Sequence, residues 1–367
     1  MATQRLIALD VMRGLTIALM IMVNTPGSWE YVYPPLLHST WNGCTPTDLV
    51  FPFFLFIVGV SMWFSFKKFD QGITKKSLYK ALKRSSILFL LGVFLNAFPY
   101  FDFENLRIFG VLQRIAIAYL ISALLCMQFN YKQLAYIFLG ILVGYWGLLF
   151  FGASEGPFEL TTNLVRKVDL LLLGEKHLYG GFGIAFDPEG LLSSIPSVAT
   201  ILIGYFSGRI IEFSGSTMDT IKKLLIFGAI ATFIGWLWNF IFPINKALWT
   251  STYVLYTGGL AMVFLAFLLW FIDVKGIKKW AKPFIHFGTN PLAIYVFSGL
   301  YVLVIIYLIH ITNAQGVSVS AYDFLYSDVC VPIAGKMNGS LLFAVMHIIF
   351  FWFVTYILYK KKIFIKI

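Results

Sequence analysis

The sequence predicts an all-α bundle of roughly ten transmembrane helices. Of the 367 residues, 59% are hydrophobic and only 12% are charged. The mean hydropathy of +0.82 lies outside the usual range of soluble domains. Apolar runs of about 20 residues can span a bilayer as helices, which satisfy their backbone polar groups internally. No internal repeat or soluble-domain linker divides the runs, so we expect one transmembrane domain over residues 1–367. The predicted spans are roughly residues 8–24, 49–66, 85–100, 108–128, 133–151, 190–211, 222–241, 250–272, 288–310 and 339–359.

The formal net charge of +11 follows the predicted topology. Of the 28 Lys and Arg residues, twenty fall in alternate segments between spans or at the termini, six fall in the opposite segments, and two lie within spans. The positive-inside rule assigns the richer segments to the cytoplasm, so both termini are predicted to be cytoplasmic, which requires an even number of spans. The basic connection at residues 67–84 suits membrane-lipid headgroups, and we expect no nucleic-acid partner.

The short polar loop between the first two predicted spans is the expected site of chemistry. It carries Asn24, His38, Trp41, Asn42 and Asp48, and it has no Lys or Arg. An imidazole beside a carboxylate is a combination used in general-base and nucleophilic catalysis. The alternative is that Asp48 only complements the dipole of the helix that follows it.

Charged and amide side chains also fall within the predicted spans. Arg13 lies three residues after Asp10 on one helical face, where the two form a local ion pair or Arg13 helps to hold an anionic donor. Gln113 and Arg114 lie in the fourth span. A membrane-embedded Arg is costly unless it pairs or lines a cavity, and Asp48 is the expected partner of Arg114.

Two outer segments carry residues suited to an acceptor. Residues 98–104 hold four aromatic side chains beside Asp102 and Glu104, which suits a sugar bearing an ammonium group or, equally, an interfacial aromatic belt. Residues 152–189 form the longest outer segment and are rich in acidic residues. Because long loops in compact proteins are usually functional or disordered, we expect this segment to cover the acceptor.

The cysteines and the remaining intramembrane polar residues give weaker signals. The three cysteines have neither a metal-ligand spacing nor a disulfide framework, and we expect no metal. Cys44 and Cys330 both fall on predicted outer loops, where they could pair or remain free. His347 falls in mid-span and fits a buried neutral side chain better than a catalytic one. Asn290 lies beside Pro291, which suits a helix start, but Asn290 could also bind a ligand.

Successive motifs carry a resemblance to a known family. They read RLIALDVMRG, HSTWNGCTPTDLVFPFFLFIVG, GVLQRIAIAYLI, FDPEGLLSSIPSVATILIGY, LWTSTYVLYTGGLA and GTNPLAIYVFS. From about residue 5 to 359 the chain resembles the heparan-alpha-glucosaminide N-acetyltransferase family and its bacterial relatives. The likeness is most specific in the first 60 residues, where the His, Trp-Asn-Gly and Asp-Leu-Val-Phe-Pro elements coincide.

The resemblance implies transfer of an acetyl group from cytoplasmic acetyl-CoA, used as a co-substrate, to the amino group of a terminal glucosamine across the membrane. His38 matches the family's active-site histidine, Asn24 its neighbouring amide and Asp48 the following acid. The resemblance also suggests a homodimer and a bacterial inner membrane. The Lys and Arg distribution predicts that the His38 loop faces outward. The expected acceptor is an amino sugar of the bacterial cell wall or of another glycan.

The resulting hypothesis assigns the donor and acceptor to different residues. His38 is general base or transient acetyl carrier, Asp48 orients it, and Asn24 or Asn42 donates to the oxyanion. The expected acetyl-CoA contacts are Arg13, Arg84, Gln113, Arg114 and Asn290, and the expected acceptor contacts are Trp41, Asn42, Asp102, Glu104, Trp249 and Thr250.

Two other function classes fit parts of the sequence. A permease for amino sugars would also use many spans, intramembrane polar residues and an aromatic, acidic vestibule. A polysaccharide O-acetyltransferase would share the RLIALDVMRG opening. If the protein were purely structural, the free-energy cost of placing His38, Asp48 and Arg114 in or near the membrane would have no explanation.

Overall fold

The computed structural model describes residues 6–66 and 72–365, and it is built mainly of α-helices. A short antiparallel hairpin follows the eleventh helix, with His310 opposite Ser320. The elements are α1 (Ile7–Asn24), α2 (Val50–Phe66), α3 (Lys75–Ala97), α4 (Val111–Gln128), α5 (Tyr131–Phe151), α6 (Leu164–Leu173), α7 (Ile195–Phe213), α8 (Thr217–Trp238), α9 (Ser251–Leu269), α10 (Lys282–Thr289), α11 (Pro291–Tyr307), β1 (His310–Thr312), β2 (Ser318–Ser320), α12 (Ala321–Phe324) and α13 (Val331–Lys360).

Most of the long helices are suited to a membrane. Within the described ranges, eight helices are long and apolar enough to cross a bilayer, and α10 with α11 forms a ninth candidate that is bent by 76°. The apolar half of α3 follows a basic first half. The chain is therefore an integral membrane protein with an all-α bundle, as the sequence predicts. The number of ten spans and the cytoplasmic termini stay predictions.

The starts of the third and ninth predicted spans differ from the structure in a way that bears on the polar residues near them. α3 begins at Lys75, ten residues before the predicted span, because Thr74 and Ser77 cap its start reciprocally. Most of the basic connection is thus helical, while residues 67–71 lie outside the described ranges. The predicted ninth span instead begins within a bent helix pair that breaks at Asn290. There the side chain of Asn290 binds the backbone of the C-terminal segment, with Nδ2 donating to the oxygen of Ile363 at 3.0 Å.

The close packing of α2 against α7 fixes the start of α2. A Cβ atom added at Gly59 would lie 1.9 Å from the oxygen of Ile201, and one added at Gly204 would lie 2.0 Å from the oxygen of Phe56. Both positions therefore require glycine, and this close approach of two backbones is typical of membrane helix pairs. The loop that precedes α2 is consequently attached to a rigid pair.

A second, smaller apolar core lies beneath residues 152–189, the segment predicted to be the longest on the outer side and called here the long outer segment. Phe186 of that segment packs with Tyr145 of α5 and with Phe242 and Leu248, which precede α9. Trp41 lies against the same cluster, 5.4 Å from Phe186 between ring centroids. This core brings three loops that are far apart in the sequence to one end of the bundle.

Candidate active site

His38 and Asp48 are in direct contact at the end of the bundle where these loops meet. His38 Nδ1 lies 2.6 Å from Asp48 Oδ1. The Asp48 side chain is 1% exposed, whereas that of His38 is 45% exposed. Because an ionised carboxylate only accepts hydrogen bonds, this contact places the proton on Nδ1 and leaves Nε2 as the basic nitrogen. The exposed imidazole can therefore meet a substrate while the buried carboxylate holds its orientation.

The second oxygen of Asp48 organises the start of α2. Oδ2 accepts hydrogen bonds from the backbone nitrogens of Ser39 and Thr45, both at 3.0 Å. Its backbone oxygen accepts the hydroxyl of Tyr253 at 2.5 Å. Asp48 thus makes the contacts that both alternatives require: one oxygen supports the helix start, and the other contacts His38. A catalytic role for the pair stays a prediction.

Lys246, in the loop between α8 and α9, completes the cluster. Its Nζ lies 3.0 Å from Nδ1 and 3.4 Å from Nε2 of His38, and 3.4 Å from Asp48 Oδ1. Burial lowers the pKa of Lys246, against the opposing charges of Asp48 and Glu189. Lys246 lies 208 positions after His38 and is not among the site residues predicted from the sequence. Its only signal was a lysine in an otherwise uncharged outer loop.

A tight turn before α9 holds Lys246 in place. The backbone nitrogen of Asn245 donates to Thr250 Oγ1 at 3.0 Å, and the backbone nitrogen of Leu248 donates to Asn245 Oδ1 at 2.8 Å. Trp249 follows with a φ of 50°, in the left-handed region that a bulky residue rarely adopts. The position of the ammonium group is therefore set by the turn.

Two cavities meet at the cluster. The larger, of about 290 Å³, is here called the His38 cavity, and the smaller, of about 150 Å³, the Asn24 cavity. His38, Lys246 and Glu189 line both. The His38 cavity is also lined by Ser39, Thr40, Trp41, Asp48, Arg107, Tyr179, Gly181, Phe182, Pro188 and Ala247, and the Asn24 cavity by Met20, Val23, Asn24, Thr47, Val50, Phe51, Val111 and Tyr295.

An ion-pair network fixes the long outer segment to the wall of the His38 cavity. Arg107 donates to both oxygens of Asp187, with Nε to Oδ2 at 2.8 Å and Nη2 to Oδ1 at 2.7 Å. The same Nη2 donates to Glu189 Oε2 at 2.7 Å. This bidentate geometry holds Glu189 at the edge of both cavities.

A third cavity, of about 230 Å³, lies farther along the helices and contains two arginines. Arg13 donates to Asp10 Oδ1 at 3.0 Å and to Ser61 Oγ at 2.8 Å, so the predicted ion pair with Asp10 is present. The Arg84 guanidinium lies 4.6 Å from the centroid of the Tyr119 ring. We call this space the Arg13–Arg84 cavity.

The Asn24 cavity and the Arg13–Arg84 cavity are one helical turn apart on three helices. On α2 they are lined by Phe51 and Phe54 respectively, and on α4 by Val111 and Ile115. On α11, Tyr295 lines the first and Leu292 the second. Residues three or four positions apart differ by about 4.5–6 Å along a helix axis. Only a thin layer of side chains therefore lies between the two cavities at these helices.

Comparison with known proteins assigns the chain to a family. A sequence profile described as heparan-alpha-glucosaminide N-acetyltransferase, catalytic, matches residues 5–236. The chain belongs to this family. Human heparan-alpha-glucosaminide N-acetyltransferase is 30% identical over 353 residues, covering 80% of this chain and 52% of the human protein. The mouse protein is 31% identical over 357 residues, covering 80% and 53%. The chain thus spans about half the length of the curated relatives it matches.

Several predicted site residues of this family member lie together around His38. Asp48 contacts it, Trp41 lines the His38 cavity and Asn24 lines the Asn24 cavity. The Trp41 indole donates to the oxygen of Phe158 at 2.9 Å, which attaches the long outer segment to the loop. Tyr179 and Phe182 of that segment also line the cavity. That the segment covers an acceptor stays a prediction.

Other predicted acceptor residues lie elsewhere among the described residues. Asn42 is exposed and accepts from Asn245 at 3.1 Å, and it does not line either cavity. Asp102 and Glu104 are exposed on the loop after α3, where Glu104 pairs with Lys176. None of these three belongs to the lining of the His38 cavity in the described chain.

Trp249 and Thr250 are fully buried and build the turn that holds Lys246. Arg114, expected beside Asp48, instead donates to the hydroxyl of Ser193 and stacks 4.8 Å from the Trp249 ring. Asp48 is already occupied by His38 and the start of α2, which leaves no direct contact for Arg114 in the described structure. Gln113 is buried and donates to the oxygen of Ile108 at 2.9 Å.

Of the residues predicted to bind acetyl-CoA, Arg13 and Arg84 line the same cavity. The other three, Gln113, Arg114 and Asn290, do not line it. The residues flanking Asn290, however, do line it: Gly288, Thr289, Pro291 and Leu292. Cys44, Cys126 and Cys330 are free, so the alternative of a Cys44–Cys330 pair is not formed.

Proposed function

We propose that the protein transfers an acetyl group from acetyl-CoA to the amino group of a glucosamine or related amino sugar. The observation that carries the proposal is the position of the oriented His38–Asp48 pair. His38 lines the Asn24 cavity, which lies one helical turn from the Arg13–Arg84 cavity. The name of the human and mouse relatives supports an N-acetyltransferase of this kind. The proposal places donor and acceptor in different cavities of one bundle.

The Arg13–Arg84 cavity is the proposed entrance for acetyl-CoA. Guanidinium groups bind phosphate oxygens through charge-assisted hydrogen bonds, and both arginines line this space. The distribution of Lys and Arg along the chain supports a cytoplasmic location for it. The charged nucleotide stays at this end, and the thin pantetheine arm passes between α2, α4 and α11 toward His38. This route avoids carrying the nucleotide across about 30 Å of hydrocarbon.

The His38 cavity is the proposed acceptor site. Trp41, Tyr179 and Phe182 supply aromatic surfaces for a sugar ring, and the Glu189 carboxylate at the edge suits an ammonium group. His38 Nε2 removes a proton from the acceptor ammonium, and the amine attacks the thioester carbonyl. The Asp48 carboxylate stabilises the imidazolium that forms. The imidazolium then protonates the departing CoA sulfur, and the second proton lost by the acceptor nitrogen passes to solvent.

His38 is also placed to act as a nucleophile and to carry the acetyl group briefly on Nε2. Both routes form an oxyanion at the former carbonyl oxygen. Lys246 and Asn24 line the same space as His38 and are the proposed donors to this oxyanion. A burst of one CoA per protein in the absence of acceptor would indicate the acetyl-histidine route.

The first test is CoA release by the purified protein supplied with acetyl-CoA and glucosamine. We expect turnover by the wild type, loss of turnover in His38→Ala, and wild-type turnover in His310→Ala. His310 is the matched control because it is an exposed histidine on β1. Absence of CoA release across several amino sugars and acyl donors would overturn the proposal and favour the permease, which labelled-sugar uptake would then detect.

A further inference from the structure

The cluster contains a primary amine of the protein itself at the place where an acceptor amine must react. Lys246 Nζ lies 3.0 Å and 3.4 Å from the two ring nitrogens of His38. Lys246 lines both the His38 cavity and the Asn24 cavity, and its side chain is 18% exposed. An acetyl group that reaches His38 along the Asn24 cavity therefore also reaches this amine.

The surroundings of Lys246 favour the reactive form of the amine. Only an unprotonated amine attacks a thioester, and burial lowers the pKa of Lys246, with Asp48 and Glu189 opposing. His38 Nε2, the basic nitrogen of the imidazole, lies 3.4 Å from Lys246 Nζ and can accept the proton. The side chain thus has the functional group, the position and the base that the proposed acceptor needs.

We propose that Lys246 is a self-acetylation site that the protein modifies when acetyl-CoA is bound and no acceptor is present. This inference rests on the proposed function. The His38 imidazole takes one proton from the Lys246 ammonium, the Nζ–C amide bond forms, and the C–S bond of the thioester breaks. The CoA thiolate leaves and takes the proton from the imidazolium, and the second ammonium proton passes to water in the His38 cavity.

Acetylation of Lys246 is expected to inhibit the enzyme. Acetylation removes the charge of Lys246 and ends its ion pair with Asp48. It also adds two carbons and an oxygen at the junction of the two cavities, where acceptor and thioester must meet. The modified protein is therefore expected to lose acceptor turnover. A bound amino sugar competes for the same acetyl group and protects Lys246.

The test is quantitative mass spectrometry of peptides after incubating the detergent-solubilised full chain with acetyl-CoA alone. We expect acetylation at Lys246, and suppression when glucosamine is present. In His38→Ala the labelling of Lys246 should fall by about 100-fold or more, the range that a positioned general base supplies. Lys176 is the internal control, because it lies on an outer segment, is 59% exposed and pairs with Glu104.

Parallel CoA-release assays with glucosamine separate the two proposals. Turnover with no more label on Lys246 than on Lys176 would overturn the self-acetylation site and leave the proposed function standing. Labelling of Lys246 that persists in His38→Ala would mark uncatalysed reaction with acetyl-CoA and would also overturn it. Absence of both turnover and label would overturn the proposed function itself. Lys246→Arg keeps a positive charge and should remove the labelled peptide.

Discussion

The His38 cavity and the Arg13–Arg84 cavity are built in different ways. The first is formed by four loops, and its charged groups pair across the chain: Asp48 with Lys246, and Arg107 with Glu189. The second is formed mainly by the faces of α1, α2, α3, α4 and α11, and its lining is largely apolar apart from the two arginines and a few hydroxyls. The difference suits one cavity to proton transfer and the other to holding a long ligand. Substitutions in the two should therefore affect different kinetic constants.

The largest effect is expected from His38→Ala. Loss of the general base should lower kcat for CoA release by about 100–10,000-fold. The KM for acetyl-CoA should change little, because His38 does not line the Arg13–Arg84 cavity. Initial rates over a range of acetyl-CoA at saturating glucosamine measure both constants. A large rise in the KM for acetyl-CoA would show that the two cavities do not work separately.

A smaller loss is expected from Asp48→Asn. The amide can still support the start of α2 through its oxygen, but it does not stabilise an imidazolium and can turn an NH₂ group toward His38. We expect kcat to fall by about 100-fold, the lower end of the range that a positioned base supplies.

The control for Asp48→Asn is Asp219→Asn. Asp219 also lies in the first turn of a helix, but it is exposed and pairs with Lys223 at 2.8 Å. Equal losses in the two variants, or a loss in Asp48→Asn fully explained by a lower melting temperature, would assign Asp48 to the fold alone.

In the Arg13–Arg84 cavity, Arg84→Ala should raise the KM for acetyl-CoA by about tenfold and leave kcat nearly unchanged. Removal of one charged contact to a phosphate costs roughly 1.5 kcal/mol, which corresponds to that factor. Lys132→Ala is the matched control, because Lys132 is an exposed cation at the start of α5 and does not line the cavity. A fall in kcat with an unchanged KM would place Arg84 in the reaction instead of in donor binding.

The helices and the His38 loop could be predicted because their signals are local. Apolar length identifies the spans, and His38, Trp41 and Asp48 lie within eleven residues of one another. Arg13 and Arg84 were predicted separately from their charge at one end of the bundle. Their place in one cavity follows from the way α1 and α3 flank α2 and α4, which the sequence alone does not give.

The residues that sequence reasoning missed are positioned by long-range packing. Lys246 contacts His38 only because the turn before α9 packs on the core under residues 152–189. Arg107 and Glu189 lie 82 positions apart in the sequence, and packing between distant segments likewise brings them into contact. Trp249 and Thr250, in contrast, are of residue types common in binding sites. Both are fully buried and stabilise the turn that holds Lys246. Residue type alone does not distinguish these two uses.

The smallest effect is expected from Asp169, a carboxyl group on α6 beside the segment that carries Glu189. It is fully buried, its Oδ1 accepts from the backbone nitrogen of Leu191 at 3.1 Å, and its Oδ2 has no hydrogen-bond partner in the described structure. Burial raises the pKa of Asp169 to about 6, whereas an Asp in an unfolded chain titrates near 3.9. The folded state thus binds the proton more tightly, so stability should fall as pH rises from about 4 to 6 and stay lower above that range.

Asp169→Asn tests this pH dependence because the amide stays neutral at every pH. Relative to the wild type, the variant should gain roughly 1–3 kcal/mol above pH 6, and the gain should fade below pH 4. Thermal unfolding in detergent between pH 4 and 8 measures the difference, with Asp102→Asn as an exposed control. An offset that is the same at every pH would mean that the amide changes packing and not protonation. A pH-dependent offset confined to Asp169→Asn would show that this buried carboxyl group, beside the segment that carries Glu189, has an ionisation cost in the folded protein.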